Sequence, residues 1–289
     1  MSKFSDIQLA VASEQAIIGI QKHVPKISLF AKSFSGRAGQ PYNAVAVPIF
    51  ANLSGVSDVD FKDPTADKYC NGEQLEGQMI PLNKQFVKSY AMTDYEVGST
   101  DNMYLADASR AIADQLTLQV ANYVFGTVLS SADITVSADT PTTKQGFAGL
   151  LSATANAGAN PYDCVVALNA ATYSTLLGTL DSYVYGGPEA VRDGVVPGLY
   201  GFRGVVLAPT MPADINGFII PWESIGVAAR WNKPAVDGYE ATWVATDDKT
   251  SFPIGYRVFE HLCRGTAYIA GDVLFGAKLI QPSKIVKLV

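Results

Sequence analysis

From Leu199 to the C-terminus, short β-branched runs alternate with glycine and proline, and this limits the possible folds more than any other feature of the chain. The text runs LYGFRGVVLAPTMPADINGFIIPWESIGVAARWNKPA, then SFPIGYRVFEHLCRGTAYIAGDVLFGAKLIQPSKIVKLV. Gly201, Gly204, Pro209, Pro212, Gly217 and Pro221 cut the first stretch into strand-length pieces, as turn residues do. The strands are apolar with an occasional Arg, and no cluster of His, Cys and carboxylate lies among them. A chain that commits this much sequence to sheet and none to catalytic groups reads as a building block.

The first two-thirds supply helices and extended segments. Residues 5–21 place Ile7, Ala10, Val11, Ile17 and Ile18 near helical spacing, and Gly19 and Pro25 argue against a long continuation. Residues 31–41, small, polar and Gly-rich, read as a linker, so that 1–36 form an arm that docks on something else. Residues 42–53 and 80–97 read as two extended runs around a polar, turn-rich stretch, a long hairpin whose core is too small to hold it alone. Pro48 marks an edge or a bend.

The clearest helix spans 101–130. Leu105, Ala108, Ile112, Leu116, Val120 and Tyr123 line one face, and Leu118, Ala121, Phe125 and Leu129 broaden it over the second half. Asp101 or Asn102 can cap its start. At 1.5 Å per residue it would be ~40 Å long, a spine. Two shorter helices follow, 143–158 between Thr143 and Gly158, and 169–178 with Asn169 as N-cap and Gly178 as terminator. CVVAL at 164–168 is a buried strand, and Asp247-Asp248-Lys249 a turn.

Composition narrows the function. With 289 residues the chain can bury a real core. Charged residues make up 17% of it, against about 25% in average domains. A low-charge surface suits a protein covered by neighbours, since interface cores are depleted of charge. The net charge of −6 and the scattering of 21 basic residues exclude a dedicated nucleic-acid reader, which needs clustered Lys and Arg. Cys70, Cys164 and Cys263 form no CxxC pair and no complete disulfide framework, which points to folding in a reducing compartment. Asp6 and Glu14 interrupt the apolar residues of the N-terminus, so it lacks a signal-peptide centre, and no run of ~18 apolar residues crosses a bilayer. The sequence reads as a soluble chain made in a cytosol, with no membrane partner.

A search for chemistry assigns no catalytic, cofactor-binding or metal-binding residue, and the chain reads as no enzyme. His23 and His261 have no Cys, Asp or His at ligand spacing. HExxH, GxSxG and GxGxxG sequences are absent, and Gly72 and Gly77 are spaced like a phosphate loop whose required Lys is replaced by Gln78. Asp58, Asp60 and Asp63 lack the Gly and distal Glu of a calcium loop.

The serial order of arm, long hairpin, spine helix and an α/β region closed by terminal strands resembles the major capsid proteins of tailed bacteriophages, the Hong Kong 97 type of fold. CVVALNAATYSTLLG is similar to the strand-then-helix segment of that family's axial (A) domain. LYGFRGVVLAPTMP followed by NGFIIPWESIGVAARW looks like its paired strands, and GYRVFEHLCRGTAYIAGDVLFGAKLI like its closing strands. The likeness runs from about residue 40 to 289.

It implies an α+β Hong Kong 97-like fold in which 1–36 is the N-terminal arm and 37–97 the extended E-loop. Residues 98–160 with 236–268 would form the peripheral (P) domain, and 161–235 with 269–289 the A domain. It further implies self-assembly through hexamers and pentamers into an icosahedral shell around double-stranded DNA, a virion location after assembly in the host cytoplasm, a portal, and a separate scaffolding protein. The DNA would be contacted without sequence reading, with Lys22, Lys26, Lys32 and Arg37 of the arm facing inward. The type member's Lys–Asn cross-link has donors here in Lys62 and Lys68, but 236–268 contain no Asn. The rival expectations are an encapsulin-like compartment with protein cargo and, more remotely, an α/β enzyme or another β-rich virion protein.

Overall fold

The strands sort into two sheets and a ribbon, and one long helix lies against the larger sheet. The computed structural model describes residues 6–38, 44–49, 76–93, 103–131, 143–180, 194–233, 238–261 and 266–289. The larger sheet is organised around one long strand, β12 (Thr266–Leu279). Along 266–275 it pairs antiparallel with β4 (Lys84–Thr93), and along 266–272 with β11 (Phe252–His261). Its last residues, 274–279, pair with β9 (Ile225–Arg230). β10 (Ala241–Asp247) flanks β11, and β1 (Ala31–Ser33) runs parallel to β9.

The pleat gives this sheet two unlike faces. Phe86, Ile254, Tyr256, Ile269, Gly271, Val273 and Phe275 fall on one face by register. The spine helix α3 (Met103–Tyr123) covers that face. Its expected stripe is buried at Leu105, Ala108, Ile112, Leu116 and Val120, each of the larger side chains worth about 1.5–3 kcal/mol on burial. Gly271 is where helix and sheet touch. A Cβ there would stand 2.4 Å from Ile112 Cγ2 and 3.4 Å from Leu116 Cδ1, so no other residue allows this approach. The Tyr256 hydroxyl donates to the Ser109 carbonyl at 2.8 Å, and complete burial pushes its phenol well up.

Past Tyr123 the spine changes winding. A π-helical turn, Val124–Val128, and a 3-10 turn, Leu129–Ser131, complete the helical stretch expected to Ser130. Val124, Phe125 and Leu129 are fully buried there. The expected caps Asp101 and Asn102 lie outside the described residues.

The smaller sheet has the order β13 (Val286–Leu288), β8 (Gly217–Pro221), β5 (Cys164–Leu168), β7 (Phe202–Leu207), β6 (Val195–Leu199). CVVAL is buried at every position because both faces of β5 are covered. Cys164, Val166 and Leu168 pack with α4 (Lys144–Asn156) and α5 (Ala170–Thr179). Val165 and Ala167 join Phe30, Phe125 and Leu129 in the main core. Both helices start as the sequence indicates: Thr143 Oγ1 accepts from Gly146 N at 3.2 Å, and Asn169 Oδ1 from Thr172 N at 2.8 Å. Gly158 takes φ +74 beyond α4. Gly178, expected to end α5, lies inside it; the helix runs to Thr179.

Other expectations change. The linker of 31–41 contains β1 and a 3-10 turn, Ser35–Arg37, because Ala31 and Phe34 are apolar enough to be buried beside β9. The run 80–97 splits. β3 (Glu76–Pro81) pairs with β2 (Ala44–Ile49) as a two-stranded ribbon, and after Leu82 and Asn83 the chain enters the large sheet as β4. Ile80, Leu82 and Val45 seat the ribbon base on Phe34 and Ala228. The segment NGFIIPWESIGVAARW, expected to contribute to paired strands, divides at the turn Trp222–Ser224, with β8 in the smaller sheet and β9 in the larger.

The first helix, α1 (Asp6–Ile20), buries a different face from the one its aliphatic spacing suggests. Ala12, Ala16, Gly19 and Ile20 are buried, while Ile7, Val11 and Ile18 are exposed. The reason is a close crossing on α3, where a Cβ at Gly19 would stand 2.7 Å from both Ala113 Cβ and the Arg110 carbonyl oxygen. At Gly19 the approach leaves no room for a side chain.

Candidate functional site

No group of three or more His, Cys, Asp and Glu that could hold a metal is found among the described residues. His23, at the start of α2 (Val24–Ser28), sits in a structural joint: its Nε2 is 3.2 Å from Asp114 Oδ1, and Lys22 Nζ is 2.8 Å from Asp114 Oδ2. Burial lowers the His23 pKa, Asp114 opposes the shift, and Lys26 and Lys22 reinforce it. Cys164 is buried in β5 with its thiol pushed up to about 12 by burial and then by Asp163, a core residue and no nucleophile. Asp247 caps the β10–β11 turn as expected, its carboxylate accepting from Thr250 N at 3.0 Å and Thr250 Oγ1 at 2.6 Å. His261 ends β11 opposite Thr266. Asp58, Asp60, Lys62, Asp63, Lys68, Cys70, Gly72 and Cys263 lie outside the described residues.

What the fold offers instead is surface. On the face of the large sheet away from α3, register aligns Gln85, Val87, Ser89 and Ala91 of β4 with Tyr268, Ala270, Asp272 and Leu274 of β12. Gly255, Arg257 and Phe259 of β11 continue the row. Gln85, Val87, Ser89 and Ala91 are all exposed. Phe259 stacks on Tyr268 with centroids 5.3 Å apart, and Tyr239 lies edge-on to Phe259 at 6.1 Å.

A polar network spans this face. Arg257 Nη2 stands 3.2 Å from Asp272 Oδ1 and donates to the Asn232 carbonyl, while Gln85 donates to Asp272 Oδ2 at 3.3 Å. Asp272 is buried, and burial raises its pKa against the pull of Arg257 and Gln85. The pair is therefore a positioning device whose net worth in stability is small. Beside this face projects the β2–β3 ribbon, with Met79 exposed at its base. A sheet face carrying Val87, Phe259 and Tyr268 offers apolar and aromatic surface that can bind another protein.

Of the arm cations, Lys22 pairs with Asp114 and Lys32 Nζ with Glu223 Oε2 at 2.8 Å, both within the chain. Arg37 is exposed. Sequence reasoning found none of the open-face residues as a group, because the row exists only once β4, β11 and β12 are in register. Val87, alternating with Phe86 and Lys88 across the pleat, was the apolar residue in the sequence that pointed to this face.

No family model matches the sequence, and no curated protein matches it. Solved structures do. The capsid of an empty GTA particle superposes with TM-score 0.56 at 13% identity, over 92% of this chain and 89% of that one. The capsid of the cyanophage P-SCSP1u gives TM-score 0.51 at 14% identity, over 91% and 86%. A virus-like particle from Pyrococcus furiosus gives TM-score 0.50 at 13% identity, over 97% and 98%. The chain has an α+β fold of the Hong Kong 97 type, matched over about nine-tenths of its length.

Proposed function

We propose that this chain is a capsid shell protein, a structural component and not an enzyme, that self-assembles through hexamers and pentamers into an icosahedral shell enclosing double-stranded DNA. The observation that carries this reading is the extent of the likeness: capsid chains match over nine-tenths of this chain. The open sheet face and the thinly supported ribbon add physical support, since many identical contacts closing under symmetry give a shell.

In this reading 1–36 is the N-terminal arm, 37–97 the E-loop, 98–160 with 236–268 the P domain, and 161–235 with 269–289 the A domain. A separate scaffolding protein and a portal are its assembly partners, the host cytoplasm its place of assembly, and the virion its destination. Contact with DNA is sequence-independent, and with Lys22 and Lys32 paired inside the chain it is weak. Free-subunit binding to duplex DNA measured across salt tests this; salt-insensitive or sequence-specific binding contradicts it.

The encapsulin-like reading keeps the shell and exchanges the content for protein. The near-complete mutual coverage with the Pyrococcus furiosus virus-like particle fits a shell of either content and does not favour this one. Nuclease-protected nucleic acid in purified particles decides for DNA, and a single enriched protein cargo decides for the compartment.

A further inference from the structure

Three large aliphatic side chains of α1 face away from its own chain, while Leu9, Ile17 and Ile20 pack on the core. Ile7 is 77% exposed, Val11 42% and Ile18 41%, while Ala12, Ala16 and Gly19 of the same helix are buried. Separations of four and seven residues put the three on one stripe. Between this stripe and α3 runs an open groove of about 400 Å³, lined by Ile7, Gln8, Val11 and Gln15 of α1 and by Ala106, Asp107 and Arg110 of α3. Ile7 and Val11, one turn apart and both lining the groove, give it an apolar wall that a partner can cover.

The rim identifies the occupant. Asp107 and Arg110 stand one turn apart on α3, both exposed, and neither forms an ion pair among the described residues. A rim of one sign would select a partner of the opposite sign. This rim carries one acid and one base and is complementary to itself: a second copy turned about a two-fold axis across α3 sets each Asp107 against the other copy's Arg110. The same rotation would bring the Ile7–Val11 wall of one copy toward that of the other. An isologous contact requires this property, that residue i meets j while j meets i.

We propose that the α1–α3 groove is a two-fold contact, covered by the same groove of a second copy of this chain. It rests on the shell reading and specifies which face meets which. The Ile7–Val11 stripe supplies the buried area, and the reciprocal Asp107–Arg110 pairs fix the register, the role rim charges commonly play.

Thiol cross-linking tests it, in a background with Cys70→Ser and Cys263→Ser and the buried Cys164 retained. With Ile7→Cys or Val11→Cys and a short bis-maleimide, assembled chains should give a covalent homodimer as the main product, since a position bridges to itself efficiently only near a two-fold axis. Asp107→Arg and Arg110→Asp should each lower the cross-linked dimer by about tenfold or more, and the double exchange should restore it, because reversed pairs are again complementary. Particles that form normally yet give no homodimer at either position overturn the proposal and leave the shell reading intact. A cross-link to a different protein, or a double exchange no better than the singles, also overturns it. If the wild-type chain forms no particles, the shell reading fails, and the same cross-link on soluble chains decides the two-fold contact alone.

Discussion

Replacing Gly19 by Ala should undock the first helix while sparing the rest of the molecule. The added Cβ would lie 2.7 Å from Ala113 Cβ and 2.7 Å from the Arg110 carbonyl oxygen, where carbon atoms pack well at ~3.5–4.0 Å. One neighbour is backbone inside α3 and cannot turn away, so α1 must retreat by on the order of 1 Å. A gap of that size forfeits about a quarter to a half of each dispersion contact along the helix. Ala12, Ala16 and Ile20 share that interface, which puts the loss near ~2–3 kcal/mol, within the range of overpacking costs. The relief of a glycine inside a helix returns at most ~1 kcal/mol.

Hydrogen exchange resolved by residue measures this directly. Amides of 6–20 should exchange at least ~30-fold faster in the variant, the equivalent of about 2 kcal/mol, while β11 and β12 keep their protection. Adding Ala113→Gly should recover part of the loss and show coupling between the two positions, since it removes one of the two contacts. Wild-type protection of α1 in Gly19→Ala would refute the reasoning, as would a recovery no different from additive.

Leu116→Asp should prevent folding rather than assembly alone: Leu116 is 2% exposed against Gly271, and burying an unpaired carboxylate costs several kcal/mol, so a soluble, cooperatively melting monomer would contradict its placement. Arg257→Ala strips Asp272 of its partner inside the sheet and should cost about 3–5 kcal/mol by chemical denaturation, whereas Asp272→Asn with Arg257→Met should recover most of it. Acid should destabilise the protein in two stages. His23, its pKa lowered chiefly by burial below its ordinary 6.5, is neutral in the folded joint; unfolding takes up a proton, so stability falls as pH drops below about 6.5, and His23→Gln should remove that stage. Burial raises the Asp247 pKa, but hydrogen bonds from Thr250 and Gln21 bring it below its ordinary 3.8; its contribution is complete above that value and is lost as pH falls through the lowered one, a stage absent in Asp247→Asn.

The elements were legible where local chemistry decides them. Asn169 and Thr143 are caps whose bonds close within three residues, and the spine stripe follows from helical spacing alone. The division into two sheets was not legible. β8 and β9 are equally apolar and buried at every position, so nothing in GFIIPWESIGVAAR says that its two strands go to different sheets. The buried face of α1 was misread because its aliphatic residues outweigh its small ones in periodicity, whereas the close crossing on α3 selects small ones. The break of 76–93 into ribbon and sheet strand is set by the partners, β2 and β12, which are distant in sequence. The candidate site shares this origin: the open face consists of residues from β4, β11 and β12 that meet only in register.

The shell reading is tested most directly by electron cryomicroscopy of the purified assembly with mass photometry of the same sample. The fold and its open surfaces predict closed icosahedral particles of megadalton mass tiled by this chain, with the β2–β3 ribbon of each copy lying on a neighbour. A discrete oligomer of a few copies as the only species, in the presence as well as the absence of the proteins co-expressed with it, would contradict that prediction.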